Sequence, residues 1–208
     1  DSARRAVKRI PEESGVQWLQ NHLIDCCKPL LKTPWILDVD TTVKPLYGHQ
    51  EEAEKGYNPQ KPGRPYHTYH TYMMANLRLV LDVEVKAGDQ SHSSYSLPGL
   101  SCLLNRLPED EKPEFVRGDI GWGTDTVMKE LEDIKQSYLF KLKKSPNVMN
   151  LIYKHHGLGE WYPVHRGWEA KDDDLKLQGW ERERRVVIIR RRISSDNILG
   201  IEAVSGGE

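Results

Sequence analysis

Trp35-Ile36-Leu37-Asp38-Val39-Asp40-Thr41-Thr42-Val43 is the stretch on which the fold turns. A β-strand sends successive side chains to opposite faces. Trp35, Leu37, Val39 and Val43 therefore point one way, and Ile36, Asp38, Asp40 and Thr42 the other. One face can pack in a core, while the other carries two carboxylates separated by one residue. Working outward, residues 45–65 are rich in Gly, Pro, Gln and Glu and read as a loop. Tyr66 to Met74 is aromatic and β-prone. From Leu77, the residues Leu77, Leu79, Leu81, Val83 and Val85 alternate against Arg78, Asp82, Glu84 and Lys86. Two adjacent antiparallel strands fit this stretch.

Further on, Pro98 suits the first position of a helix whose stripe is Leu100, Leu103, Leu104 and Leu107. A short strand, Glu114–Arg117, runs into Gly118-Asp119-Ile120-Gly121-Trp122-Gly123. A helix from about Thr124 carries Val127, Leu131 and Ile134; Tyr138 to Leu142 is another strand, and Asn147 to Tyr153 another helical piece. Residues 157–181 hold three Trp and three consecutive Asp without a clear period, and Arg184 to Arg192 around Val186–Ile189 is a last strand. Upstream, Val16, Leu19, Leu23, Ile24 and Leu30 recur at near-helical spacing. The order predicts a mixed α/β sheet that opens antiparallel and continues through β-α-β crossovers, with flanking helices. The expected divisions are a helical lead-in over 1–33, a core over 34–156 and the start of a β-rich region over 157–208.

Composition narrows the class. The 208 residues are 38% apolar and 29% charged, a polar globular chain with enough apolar residues for a core. No apolar run approaches the roughly 18 residues of a membrane-spanning helix. Thirty Lys plus Arg against 31 Asp plus Glu leave a net charge of −1, so bulk charge names no partner. The basic residues do cluster: Arg4, Arg5, Lys8 and Arg9; Lys141, Lys143 and Lys144; and Arg182, Arg184, Arg185, Arg190, Arg191 and Arg192. Such runs neutralise phosphates or simply form solvated faces. Three cysteines, with Cys26 and Cys27 adjacent and Cys102 among leucines as a core thiol, fit a reduced compartment.

The chemistry-bearing candidates are acidic. Asp40 lies mid-strand beside Asp38, and Asp119 follows a later strand on a Gly-flanked turn. Functional side chains in α/β sheets gather beyond the carboxyl ends of strands. A crossover could set these strands side by side, and two close carboxylates repel unless a divalent cation lies between them. Hard oxygen ligands favour Mg²⁺ or Mn²⁺. The plainer alternative is that both are ordinary caps. His67 and His70, three apart on a strand, face opposite sides and suit strand pairing better than shared zinc ligation. His49 and Gln50 follow the first strand on a loop that either reaches a phosphate or base edge or is merely solvated. No CxxC, HExxH, glycine-rich phosphate loop or nucleophile elbow is present.

Leu37-Asp-Val-Asp-Thr-Thr42, Pro45-Leu-Tyr-Gly-His-Gln50, Gly88-Asp89 with Ser91-His92, and Val116-Arg-Gly-Asp-Ile-Gly-Trp122 together resemble bacterial insertion-sequence transposases. These are DDE enzymes with an RNase H-like core, of the insertion-sequence-four superfamily. The resemblance runs from about Trp35 to Lys144, with Ile120 standing where that family usually has a small residue. It implies Asp40 and Asp119 as the first two catalytic acids and ligands of Mg²⁺ or Mn²⁺, in two-metal cleavage and strand transfer on double-stranded DNA. Residues 157–208 would begin an inserted β-rich region, and the third acid, a Glu on a later helix, is expected beyond Glu208. The resemblance further implies transposon ends and target DNA as partners, a homodimer on DNA, no membrane, and a cytoplasmic, nucleoid-associated location. Arg190, Arg191 and Arg192, with His49 and Gln50, are the expected DNA contacts. Alternatives are a nuclease without strand transfer and a non-catalytic DNA-binding remnant.

Overall fold

The structure, a computed structural model, describes residues 2–32, 34–56, 58, 61–156 and 159–191. It divides into two compact units at Lys143/Lys144. The first holds helices α1 (Ser2–Val7) and α2 (Glu12–Cys27), then strands β1 (Ile36–Pro45), β2 (Tyr66–Met74) and β3 (Leu79–Ala87). Helix α3 (Ser93–Arg106), β4 (Phe115–Gly118), α4 (Asp125–Asp133) and β5 (Tyr138–Phe140) complete it. Its sheet has the order β3-β2-β1-β4-β5, antiparallel among the first three and parallel from β1 through β4 to β5. That is the topology of an RNase H-like core.

The alternation in β1 sets the layer. Leu37 and Val39 are buried on one face, together with Tyr72 and Met74 of β2, Leu81 of β3 and Val116 of β4. Cys27 of α2, the α3 residues Leu100, Leu103 and Leu104, and Val127 and Leu131 of α4 close over them. Each fully buried Leu or Val contributes about 1.5–3 kcal/mol of transfer free energy, so this layer dominates the folding of the unit. Helix starts are encoded locally: the Thr124 side chain accepts from Val127 N–H at the start of α4.

Four expectations change. Helix α3 starts at Ser93, capped by the His92 side chain, so Pro98 lies inside it rather than at its first position. The strict alternation through β3 is broken by a bulge: Tyr72 pairs with Asp82 but Met73 pairs with Val80, leaving Leu81 extra. Asp82 and Glu84 consequently turn onto the helix-covered face, and Val85 is half exposed. Cys102 is exposed, on the side of α3 away from Leu100, Leu103 and Leu104. In the lead-in, Ile24 packs against the core, whereas Val16, Leu19 and Leu30 are exposed.

The bulge has a polar consequence. Tyr72 donates from its hydroxyl to Glu84 (2.6 Å) and to the Ser96 carbonyl (2.8 Å), and Gln20 of α2 donates to Asp82 (2.9 Å). His70 is fully buried against Ser96 Oγ, Thr68 Oγ1 (3.1 Å) and the Gln90 carbonyl (2.9 Å). Burial pushes the His70 imidazole below, and the Asp82 carboxyl above, their ordinary values.

The second unit comprises α5 (Pro146–His155) and a small antiparallel sheet of β6 (Tyr162–Pro163), β7 (Trp168–Leu175) and β8 (Arg184–Arg191). Strand β7 lies in the stretch that shows no period in sequence. The reason is ionic pairing: Asp173 accepts from His155 (2.5 Å) and Lys154 (3.1 Å), while Asp172 accepts from Arg185 (2.9 Å). A strand whose two faces are both charged shows no hydrophobic alternation.

Candidate active site

Register brings the two acids together. Strands β1 and β4 pair in parallel, Asp38 opposite Arg117 and Val39 opposite Gly118. Asp40 is the next residue of β1, and Asp119 is the first residue beyond the end of β4. Neighbouring strands lie about 4.8 Å apart, and alternation puts both acids on the face opposite the core. Both side chains are exposed there.

The motif Gly118-Asp119-Ile120-Gly121-Trp122 is a turn with a buried anchor. Trp122 is 1% exposed. A Cβ on Gly118 would stand 2.8 Å from the Trp122 ring, so only glycine lets the strand pass the indole. Trp122 N–H donates to the Asp119 carbonyl (3.2 Å), and Gly121 N–H to Asp119 Oδ1 (2.8 Å). Those bonds fix the carboxylate at the lip of the turn. On β1, Thr42 Oγ1 donates to Asp40 Oδ2 (3.1 Å). Each acid thus uses one oxygen locally and keeps the other available. Ile120, at the tip, is 42% exposed and displaces nothing in the core.

Asp38 has a different task. Arg117 grips both its oxygens, Nε at 2.6 Å and Nη2 at 2.7 Å. A bidentate guanidinium leaves a carboxylate little capacity for a cation. Sequence reasoning missed Arg117, yet the signal is present: Arg117-x-Asp119 repeats the spacing of Asp38-x-Asp40, so parallel pairing matches both members.

A divalent cation fits this pair by donor chemistry: two hard, exposed carboxylates on neighbouring strands, with a guanidinium already holding the third acid aside. Among the described residues, no group of three or more His, Cys, Asp or Glu is placed to hold a metal. Glu181 and Glu183 are exposed, directly ahead of β8 in the second unit.

The family model for the transposase DDE domain group 1 matches residues 3–198. The chain belongs to this DDE transposase family. No curated protein matches it in sequence. Among solved structures, the DDE domain is similar to the piggyBac transposase synaptic complex with hairpin DNA, at 9% identity and TM-score 0.42, covering 76% of this chain and 33% of that one. It is similar to the Mos1 mariner paired end complex with Mn at 14% identity and TM-score 0.34, covering 71% and 50%. It is also similar to a simian T-cell lymphotropic virus intasome in complex with PP2A regulatory subunit B56 gamma, at 10% identity and TM-score 0.34, covering 61% and 44%. The DDE domain thus spans between a third and a half of those chains.

The remaining candidates of the DDE domain are scattered. His49 and Gln50 are exposed on the loop between β1 and β2. Arg190 is committed internally: it donates to Glu169 (2.8 Å) and the His156 carbonyl (3.3 Å) and lies 3.9 Å from the Trp161 ring centre. Arg191 is exposed beside Trp168, and Arg192 lies outside the described residues. His67 sits on the opposite side of β2 from His70 and contacts the Glu51 carbonyl (2.7 Å), as strand alternation requires.

Proposed function

We propose that this domain carries out DNA transposition chemistry: metal-dependent cleavage of a phosphodiester and transfer of a DNA 3′-hydroxyl to a target strand. The observation carrying this reading is the parallel β1/β4 register, which sets Asp40 and Asp119 side by side on an open face. Asp40 and Asp119 would hold Mg²⁺ or Mn²⁺, which when bound supplies Lewis-acid stabilisation of charge at the reacting phosphate. Arg117 keeps Asp38 out of the ligand set, and Trp122 holds the Asp119 turn rigid. With double-stranded DNA, both transposon end and target, as substrate, the third carboxylate comes from outside the described residues. Arg191 and the loop residues His49 and Gln50 are exposed and free to meet DNA, whereas Arg190 serves the fold of its own unit. A bacterial insertion-sequence origin, with action as a homodimer in the cytoplasm, completes the reading.

The test uses a labelled DNA end with a free 3′-hydroxyl, a plasmid target and Mn²⁺. Joined product that disappears with Asp40→Asn and with Asp119→Asn supports strand transfer. Nicking without joining assigns a hydrolytic nuclease. DNA binding unaffected by either substitution, with no product under any condition, assigns a non-catalytic remnant.

A further inference from the structure

We infer that Lys61-Pro62-Gly63-Arg64, clasped on Tyr47, is a contact site for the phosphate backbone of double-stranded DNA; this rests on the reading of the Asp40–Asp119 face as a DNA-processing site. The sequence builds this feature rigidly. Arg64 N–H donates to the Lys61 carbonyl (3.4 Å), Pro62 occupies the second position and Gly63 the third with φ +74°. That is a type II turn, in which proline pre-sets one dihedral and glycine supplies the left-handed one. The turn brings its first and fourth residues, both cations, within about 7 Å at their Cα atoms. Lys61 N–H donates to the Asn58 side chain (3.1 Å), and Leu46 N–H to the Pro65 carbonyl (3.0 Å), so the turn is tied at both ends.

Both charged heads converge on one ring. The Arg64 guanidinium lies 4.5 Å and the Lys61 ammonium 5.1 Å from the centre of Tyr47, and Lys61 also donates to the Tyr47 hydroxyl. Tyr47 itself is 72% exposed. Four other cations do have a carboxylate partner: Arg117 on Asp38, Arg185 on Asp172, Arg190 on Glu169 and Lys154 on Asp173. Lys61 and Arg64 have no carboxylate partner among the described residues. Two like charges inside one Debye length repel, and the fold holds them together without an internal counter-ion. An anion with several acceptor oxygens relieves that repulsion, and Arg and Lys are the residues that bind phosphate.

The turn lies past the Pro45 end of β1, where Leu46 is bonded to Pro65. Between Asp40 and Pro45, β1 advances about 17 Å. Along that ladder the face opposite the core presents Thr42 with Tyr69 and Lys44 with His67, and then the loop that ends in the turn. One strand of duplex DNA carries a phosphate about every 3.4 Å along its axis, so the turn and the acids are set apart by several phosphate spacings. Lys44 in between adds a positive charge on the same face.

The experiment measures binding of a fluorescein-labelled 40-base-pair duplex of arbitrary sequence to residues 1–208 over a KCl series. Lys61→Gln with Arg64→Gln should lower the slope of log affinity against log salt by about 1.8, the loss of two phosphate contacts, equally on unrelated sequences. An unchanged slope overturns the assignment. Gly63→Val keeps both charges but strains the turn; a loss of affinity of several-fold is expected, and full wild-type affinity shows that the built geometry is not used. The two readings fail separately. Mn²⁺ affinity that depends on Asp40 and Asp119 together with an unchanged slope sinks the contact alone, whereas a reduced slope with Mn²⁺ affinity unaltered by Asp40→Asn and Asp119→Asn sinks the transposition chemistry alone.

Discussion

Asp40 and Asp119 stand side by side because of one register step, and each is replaceable without loss of core. Asp40→Asn or Asp119→Asn keeps shape and the local hydrogen bond but removes the charge. Mn²⁺ affinity, read by electron paramagnetic resonance, should fall at least tenfold with either substitution, while the melting temperature stays within a few degrees. Undiminished affinity in both variants would remove them from the metal site. The buried His70 gives a pH prediction. Its folded-state pKa is depressed by burial, so the unfolded chain binds the proton more readily. Its neutral form is tolerated above the ordinary value of 6.5, and stability falls as pH drops through that value. Asp82 works oppositely and lower: its folded pKa is raised above 3.8, so its contribution declines as pH rises from there. Urea midpoints at pH 7.5 and 5.5 should therefore converge in His70→Gln and differ in wild type; equal differences in both proteins would show that His70 does not titrate.

At the scale of elements, α3 lies close enough to β2 and β3 to need a glycine. A Cβ on Gly99 would meet Glu84 Oε2 at 2.1 Å and the Tyr72 hydroxyl at 2.8 Å. Gly99→Ala should thus destabilise by about 1–3 kcal/mol, the usual result of overpacking a fixed interface, as read from urea unfolding. A neutral effect would mean that α3 moves freely over the polar layer. Trp122 ties the end of β4 to the start of α4, and Trp122→Ala should cost about 3–5 kcal/mol through the cavity left behind. Metal binding should weaken with it, because the Asp119 turn loses its anchor. The elements themselves were largely legible. β1, β2, β4, β5, α4 and α5 follow from alternation, capping and helical stripes. The missed features were of two kinds: β7, whose cross-strand ion pairs hide its period, and the β3 bulge, which one extra residue creates without any local mark.

For the whole molecule, three carboxylates are what the family name requires, and the described residues assemble two. Residues 1–208 incubated with DNA ends and Mn²⁺ should therefore cleave very slowly. Robust cleavage that vanishes in Glu181→Gln or Glu183→Gln would place the third acid just before β8. By itself the sequence determined the strand carrying Asp40, the Gly-Asp turn carrying Asp119, the core stripe of α3 and the mixed character of the sheet. These follow from local periodicity and from residues whose backbone preferences act within a few positions. Only the tertiary structure decided that Asp38 is held by Arg117, that Asp82 and His70 are buried in a polar layer, and that Arg190 is an internal ion-pair partner. Each of those depends on which residue of a distant strand stands opposite, and a one-residue change of register reverses the face of every side chain beyond it.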